Sequence, residues 1–177
     1  MDEGDIVSAA VNAATGQPGI PDHPDLQRLL AYWCRQRGDR AFPRRQDIDP
    51  VDLCFMLNRI ALTEIHDHDP RVGADTSEPR PVGATPIYRF RVVGTWWREL
   101  TGQELTGFWS DRMPSQSVSD ITVSFYRTMT TLRRPLFDRR NAWIDERRFD
   151  YQIMIMPLSE DGQRISMIMT GIGPRDA

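Results

Sequence analysis

The feature that most constrains the fold is a long helix pattern followed directly by three strand patterns in the last third of the chain. Over residues 117–134 one helical face carries apolar residues, and Pro135 ends the helix. Strand patterns follow at about 136–145, 149–158 and 163–172, and the turn Ser159-Glu160-Asp161-Gly162 joins the last two. The segment therefore predicts a helix and three consecutive antiparallel strands. The apolar residues of the helix are Ile121, Phe125, Met129 and Leu132.

Two more strand patterns precede the helix. The first is a short apolar run that ends at His66, and the second is the alternating segment 87–93. A short helical turn at 95–100 follows them. Strands that bracket helices in this way indicate an α+β domain. We predict a five-stranded antiparallel sheet with helices on one face, which encloses a pocket between the sheet and the helices.

The N-terminal part divides into two segments. Residues 1–22 are small and polar with several Gly and Pro, which predicts a flexible leader, and 23–57 form a helical extension before the main domain at 58–173. A helix at about 24–37 has an apolar face that needs a covering surface. Either the outer face of the chain's own sheet or the same helix of a second chain can supply it. We predict the second, a homodimer whose interface contains Leu26, Leu29, Leu30 and Trp33.

Composition excludes several functions. All 22 basic residues are arginine, so the chain can form neither a lysine Schiff base nor a phosphate-loop lysine contact. The net charge of −3 argues against nucleic-acid binding despite several arginine pairs. No apolar run is long enough to span a membrane, and the acidic start is unlike a secretory signal. The sparse Cys34 and Cys54 favour a reduced, cytoplasmic protein.

Segments along most of the chain, from about 23 to 173, resemble the bacterial family of stand-alone PAS domains called PAS family 5. They are His23–Leu26 with Tyr32-Trp33, Pro43–Pro50, Tyr88–Thr95, Leu105–Gly107, Arg134–Leu136, and Met156–Ser159 with Asp161-Gly162. The proline-rich segment 67–86 departs from the family as a long insertion between the first two strands. The resemblance implies a PAS fold and a sensory or regulatory module, sometimes with a bound small molecule and often dimeric.

The sequence contains little that indicates a catalytic, metal or cofactor site. His66 and His68 lie two residues apart beside Asp67 and Asp69, but no further Cys or His follows to complete a metal site. No histidine marks a nucleophile–base pair. The resemblance to PAS domains implies that haem is held by a histidine of the long helix and that a flavin adduct forms on a cysteine before it, but 117–134 has no histidine and no cysteine follows Cys54. A non-covalently bound flavin is left open, although no residue supports it. We therefore expect no catalytic residue, no metal and no cofactor.

The strongest candidate for a site is an apolar pocket. Alternating methionines on the last two strands, together with aromatic residues, are typical of irregular apolar ligand sites. The predicted lining is Tyr88, Phe90, Trp96, Trp97, Phe125, Met129, Met154, Met156, Met167 and Met169.

Three functions follow from these patterns. The leading hypothesis is a PAS module that binds a small apolar or amphipathic ligand, or an unidentified signalling protein, and signals in trans. The alternative is a small enzyme acting on a lipid-like substrate, for which Asp120, Tyr126 and Asp150 are the candidate titratable groups. A third possibility is a partner-binding domain with a filled core.

Overall fold

The computed structural model describes residues 8–67, 86–113, 116–144 and 147–175. Its helices are α1 (Pro24–Arg37), α2 (Thr95–Thr101) and α3 (Gln116–Leu132). Its strands are β1 (Val11–Asn12), β2 (Ile60–His66), β3 (Ile87–Val93), β4 (Leu136–Ile144), β5 (Arg147–Ser159) and β6 (Ile165–Arg175). Short 3₁₀ turns lie at Arg45–Asp47, Leu57–Arg59 and Ser110–Arg112.

The strands form one sheet in the order β1-β4-β5-β6-β2-β3. All neighbours among the five long strands are antiparallel, and the two-residue β1 adds to β4 in parallel. This confirms the predicted α+β architecture with a five-stranded antiparallel sheet, and α1 precedes the five long strands in the chain. The sixth, very short strand was not predicted.

The segment before α1 corrects one prediction. Ala10 and Val11 are buried, and the backbone N–H groups of Val11 and Ala13 donate to the carbonyls of Pro135 and Phe137 at 2.9 and 2.8 Å. A flexible leader is therefore wrong for residues 8–22, because the chain completes the sheet edge there. Residues 1–7 lie outside the described part of the chain, as do positions 68–85, which make up most of the predicted insertion at 67–86.

Helix α1 begins with Pro24 at its first position. His23 is the N-cap residue, and its Nδ1 accepts a hydrogen bond from the backbone N–H of Asp25 at 3.2 Å. The helix ends at Gly38. Its four predicted apolar residues are at most 2% exposed in the single chain, and burial of each contributes about 1.5–3 kcal/mol.

These four side chains cover the outer face of the chain's own sheet. A Cβ built on Gly171 of β6 would lie 2.5 Å from Leu29 Cδ2, and the indole N–H of Trp33 donates to the Pro157 carbonyl of β5 at 2.8 Å. The predicted dimer interface at Leu26, Leu29, Leu30 and Trp33 is therefore wrong, because these side chains are already buried within one chain. Homodimerisation as such stays a prediction.

Helix α3 covers the opposite face. Its buried face is formed by Phe125, Tyr126 and Met129, whereas Ile121 and Leu132 are about half exposed, so the packed face is rotated from the predicted one. Tyr126 contacts the side chains of Thr63 on β2 and Thr170 on β6. Helix α2 lies on this side as well, because the Trp96 ring packs edge-on against Tyr151 of β5. The sheet is thus enclosed between α1 and the α2–α3 pair.

Candidate functional site

The strand register decides which predicted pocket residues meet. Side chains directly opposite each other on paired strands share a face, and successive residues alternate between faces. On β5, Met154 lies opposite Gly171 and Met156 opposite Met169, while Leu158 lies opposite Met167. Because Gly171 faces α1, all four strand methionines lie beneath α1.

The other six predicted pocket residues lie on the face of the sheet that α2 and α3 cover. Tyr88 pairs with Ile65 and Phe90 with Thr63, which places both under α3, where Phe125 and Met129 also pack. Trp96 and Trp97 stand on α2. The prediction of a single pocket lined by all ten residues is therefore corrected, since the sheet itself separates Met154, Met156, Met167 and Met169 from the other six.

A group of four hydroxyl-bearing residues forms the centre of the α3 side. We call Thr63, Tyr88, Tyr126 and Thr170 the hydroxyl cluster, and each is at most 3% exposed. The Tyr126 hydroxyl lies 3.2 Å from Thr63 Oγ1 and 3.5 Å from Thr170 Oγ1. The ring of Tyr88 packs edge-on against that of Tyr126, with centroids 5.1 Å apart. The sequence pattern identified the two tyrosines but neither threonine, and the alternation of β2 and β6 brings the threonines together.

The hydroxyl of Tyr88 differs from its neighbour. It is buried and has no hydrogen-bond partner among the described residues. A buried polar group without a partner costs about 1–3 kcal/mol, so native proteins rarely retain one without a function or a bound molecule. The Nε1 of Trp97, on α2, is a second buried donor without a partner in the same part of the chain.

Burial keeps both tyrosines protonated. Desolvation raises the pKa of Tyr88 to about 12, although the charge of Arg127 opposes the shift. Desolvation also raises the pKa of Tyr126, against the hydrogen bonds from Thr170 and Thr63, which lower it. At neutral pH the cluster therefore offers neutral hydroxyl groups that donate or accept hydrogen bonds, and no base.

The other titratable candidates lie apart from the cluster. Asp150 pairs with Arg148 at 2.9 Å on an exposed part of β5. Asp120 lines a cavity of about 420 Å³ between α3 and β4, next to the ion pair of Asp138 and Arg140. Phe125 is the one predicted pocket residue that borders this cavity. The three proposed catalytic groups are thus not brought into one site.

The histidine segment does not form a metal site in the described residues. His66 lies 3.4 Å from the Glu64 carboxylate, and its ring packs against Trp109 with centroids 5.2 Å apart. His68 and Asp69 lie outside the described residues. Within the described part of the chain no group of three His, Cys, Asp or Glu side chains is placed to hold a metal ion.

The described helices also include none that is long and apolar enough to cross a membrane.

One comparison with known proteins agrees with the resemblance over part of the chain. A family model for a PAS domain, PAS family 5, matches residues 21–70, the segment that contains α1 and β2. A solved structure, the LOV protein of Rhodobacter sphaeroides, is 16% identical with a TM-score of 0.37. That alignment covers 67% of this chain and 62% of the LOV chain, so it spans less than two thirds of that protein. No curated protein matches the sequence significantly.

Proposed function

We propose that this PAS domain protein is a sensory or regulatory module that binds a small apolar or amphipathic ligand at the hydroxyl cluster and signals through another protein. The unpartnered hydroxyl of Tyr88 carries the proposal. It is a neutral donor on the α3 side of the sheet, where the apolar side chains of Phe90 and Met129 are also buried. A ligand with one polar atom on an apolar body satisfies such a group and fills apolar space around it.

The ligand reaches this site only when the helices move. Every member of the hydroxyl cluster is closed from solvent, so α2 or α3 must shift to admit a molecule. Such a shift couples occupancy of the interior to the surface of α2 and α3, where a partner protein can sense it. Several apolar side chains of α3 are exposed there, among them Val118 at 44% and Ile121 at 52%.

An enzyme acting on a lipid-like substrate is the weaker alternative. Catalysis there needs a group that changes its protonation state near neutral pH. Tyr126 stays protonated and is engaged by two threonines, and Asp150 is paired at the surface. We therefore propose a function without catalysis of its own.

Native mass spectrometry tests the ligand. The freshly purified protein is measured under native and denaturing conditions, and we expect the native mass to exceed the denatured mass by a bound small molecule. Tyr88→Phe removes the hydroxyl that holds the ligand, so the affinity should fall about tenfold, as expected for one lost buried hydrogen bond, and the occupancy should fall below that of the wild type.

Tyr32→Phe is the matched control. The Tyr32 hydroxyl accepts a hydrogen bond from the Asp49 backbone N–H at 2.9 Å on the α1 side of the molecule. This variant should retain the wild-type occupancy. An identical native and denatured mass for the wild type, or an equal loss in both variants, contradicts ligand binding at the hydroxyl cluster.

A further inference from the structure

A second cavity lies far from the hydroxyl cluster, where the end of α1, the end of α3 and the start of β4 meet. It has a volume of about 320 Å³ and is half enclosed. Three arginines converge on its wall, namely Arg37, Arg133 and Arg134. We call it the arginine cleft. No Asp or Glu among the described residues lines it, although acidic residues outnumber basic ones in the whole chain by 25 to 22.

Aromatic rings hold two of these arginines in place. The Arg37 guanidinium carbon lies 5.6 Å from the centroid of the Trp33 ring, and that of Arg133 lies 4.8 Å from the Phe42 ring. Both separations are typical of cation–π contacts. Each guanidinium is therefore positioned by an apolar partner that leaves its charge uncompensated.

The hydrogen bonding of the arginines is incomplete. The Nε of Arg37 is buried and has no partner among the described residues. Arg133 donates from one terminal nitrogen to the Gln163 carbonyl at 2.6 Å, and no described carboxylate forms an ion pair with any of the three arginines. Like charges that share a half-enclosed space repel one another, so an anion in the cleft stabilises the arrangement.

The backbone at Arg133 supports a binding role. Its φ of 54° lies in the left-handed region, and it is the one such non-glycine residue in the described part of the chain. The residue follows the end of α3, where glycine is the usual occupant of this conformation. An arginine there costs about 1–2 kcal/mol, and strain of this kind is concentrated at functional sites.

We propose that the arginine cleft binds a phosphate monoester with an apolar body. A phosphate dianion has the charge and the acceptor oxygens to pair with several guanidinium groups at once. The cleft has the volume of about ten water molecules in the liquid, far more than one phosphate group fills. The side chains of Ala41, Phe42 and Pro135 give it an apolar wall against which a ring or chain can pack.

Calorimetric titration of the full chain at low ionic strength tests the proposal with three probes. Phenyl phosphate should bind at least about tenfold more tightly than inorganic phosphate because its ring packs on the apolar wall, and uncharged phenol should not bind measurably. Equal affinities for phenyl phosphate and inorganic phosphate would overturn the apolar part of the proposal. Failure of phenyl phosphate to bind at millimolar concentration would overturn it entirely.

Variants locate the site. Arg37→Gln and Arg133→Gln should each weaken phenyl phosphate binding at least about tenfold, because each removes a charge-assisted hydrogen bond. Arg98→Gln removes the same charge from the exposed surface of α2 and should leave the affinity within about twofold. Far-UV circular dichroism and thermal melting confirm that all three variants are folded. An equal effect of Arg98→Gln would show that only the net charge matters and would overturn the site.

The remaining alternative is that acidic side chains of the same chain occupy the arginine cleft in place of a phosphate monoester. Asp2, Glu3 and Asp5 precede the cleft residue Ser8 in the sequence. A variant with Asn, Gln and Asn at these positions should bind phenyl phosphate with the wild-type affinity. Binding that appears only in this neutralised variant would overturn the proposal of a free phosphate monoester as the occupant.

Discussion

Beneath α1 the sheet presents methionine and glycine, whereas beneath α3 it presents the hydroxyl groups of tyrosine and threonine. Both faces exclude solvent to a similar degree. On the α1 side Gly171 and Gly173 allow the helix to approach closely, since a Cβ at either position would lie under 3 Å from a side chain of the α1 segment. On the α3 side the buried Tyr88 hydroxyl has no partner among the residues that the structure describes.

The difference indicates that the two faces of the sheet have different roles. Close packing of apolar side chains contributes stability, because every methylene removed from water is favourable. A buried hydroxyl without a partner lowers stability and is retained where it binds something. We infer that the α1 side mainly stabilises the fold and the α3 side mainly carries the site.

The largest expected effect comes from a charge on the α1 side. Leu29 is fully buried against β6, so Leu29→Asp places an unpaired charge in the core and should lower the free energy of unfolding by more than about 3 kcal/mol. Leu132→Asp is the matched control, because Leu132 is 46% exposed, and its cost should stay below about 1 kcal/mol. Urea denaturation followed by circular dichroism measures both.

The same substitution also tests the assignment of α1 to its own sheet. If Leu29→Asp combined with Trp33→Asp converts a wild-type dimer into monomers of undiminished stability, α1 covers a second chain instead. Light scattering at high micromolar concentration distinguishes the two arrangements. We expect loss of folded protein and no folded monomer released from a dimer.

Overpacking the α1 side should have the next largest effect. In Gly171→Ala the new methyl group would lie 2.5 Å from Leu29 Cδ2 and 3.0 Å from Met56 Cε. Both neighbours are fully buried, so relief requires a shift of the core, and we expect a loss of about 1–3 kcal/mol. Gly19→Ala provides the control, since its Cβ meets Phe137 at an ordinary 3.5 Å. A similar stability for the two alanine variants would contradict close packing beneath α1.

A gain in stability is expected on the α3 side. Tyr88→Phe removes the unpartnered hydroxyl and should raise the free energy of unfolding of the ligand-free protein by about 1 kcal/mol. Tyr126→Phe should lower it by a similar amount, because the Tyr126 hydroxyl is bonded to Thr63 and Thr170. Chemical denaturation of the two variants side by side is the measurement. Destabilisation by both would mean that the Tyr88 hydroxyl has a partner in solution.

The sequence predicted the elements of this fold well, and the reason is periodicity. The alternation of 87–93 and the helical spacing of 24–37 each identified an element that the structure confirms. The alternation of the methionines on the last two strands also placed them on one face of each strand, and the structure adds the register, with Met156 opposite Met169. Periodicity indicates which residues share a face of the sheet, but it does not indicate which of the two helices, α1 or α3, covers that face.

The candidate site was predictable only in part for the same reason. Tyr88 on β3 and the α3 residues Phe125 and Met129 were identified from their apolar or aromatic character and are buried on the α3 side of the sheet. Thr63 and Thr170 join Tyr126 across 63 and 44 residues of sequence, and a single buried threonine on a strand gives no local signal of this. The arginine cleft likewise depends on segments that are far apart in the chain.

The smallest expected effect is a difference in alkaline pH dependence between the two sides. The pKa of Tyr88 is raised from 10.0 to about 12 by burial, so the folded protein holds this proton more tightly than the unfolded chain does. The resulting stability is fully present below pH 10 and is lost as the pH rises from about 10 to about 12. At a pH of about 10.5 this loss amounts to less than about 1 kcal/mol. Tyr88→Phe should therefore lose less stability than the wild type above pH 10, although the raised pKa values of Tyr126 and Tyr151, and of Tyr32 on the α1 side, leave some dependence in every variant. Met156→Leu, on the α1 side, removes no titrating group and should follow the wild-type pH profile in parallel. Denaturation midpoints measured between pH 9 and about 11 test this, and parallel profiles for Tyr88→Phe and the wild type would show that the Tyr88 hydroxyl is not desolvated.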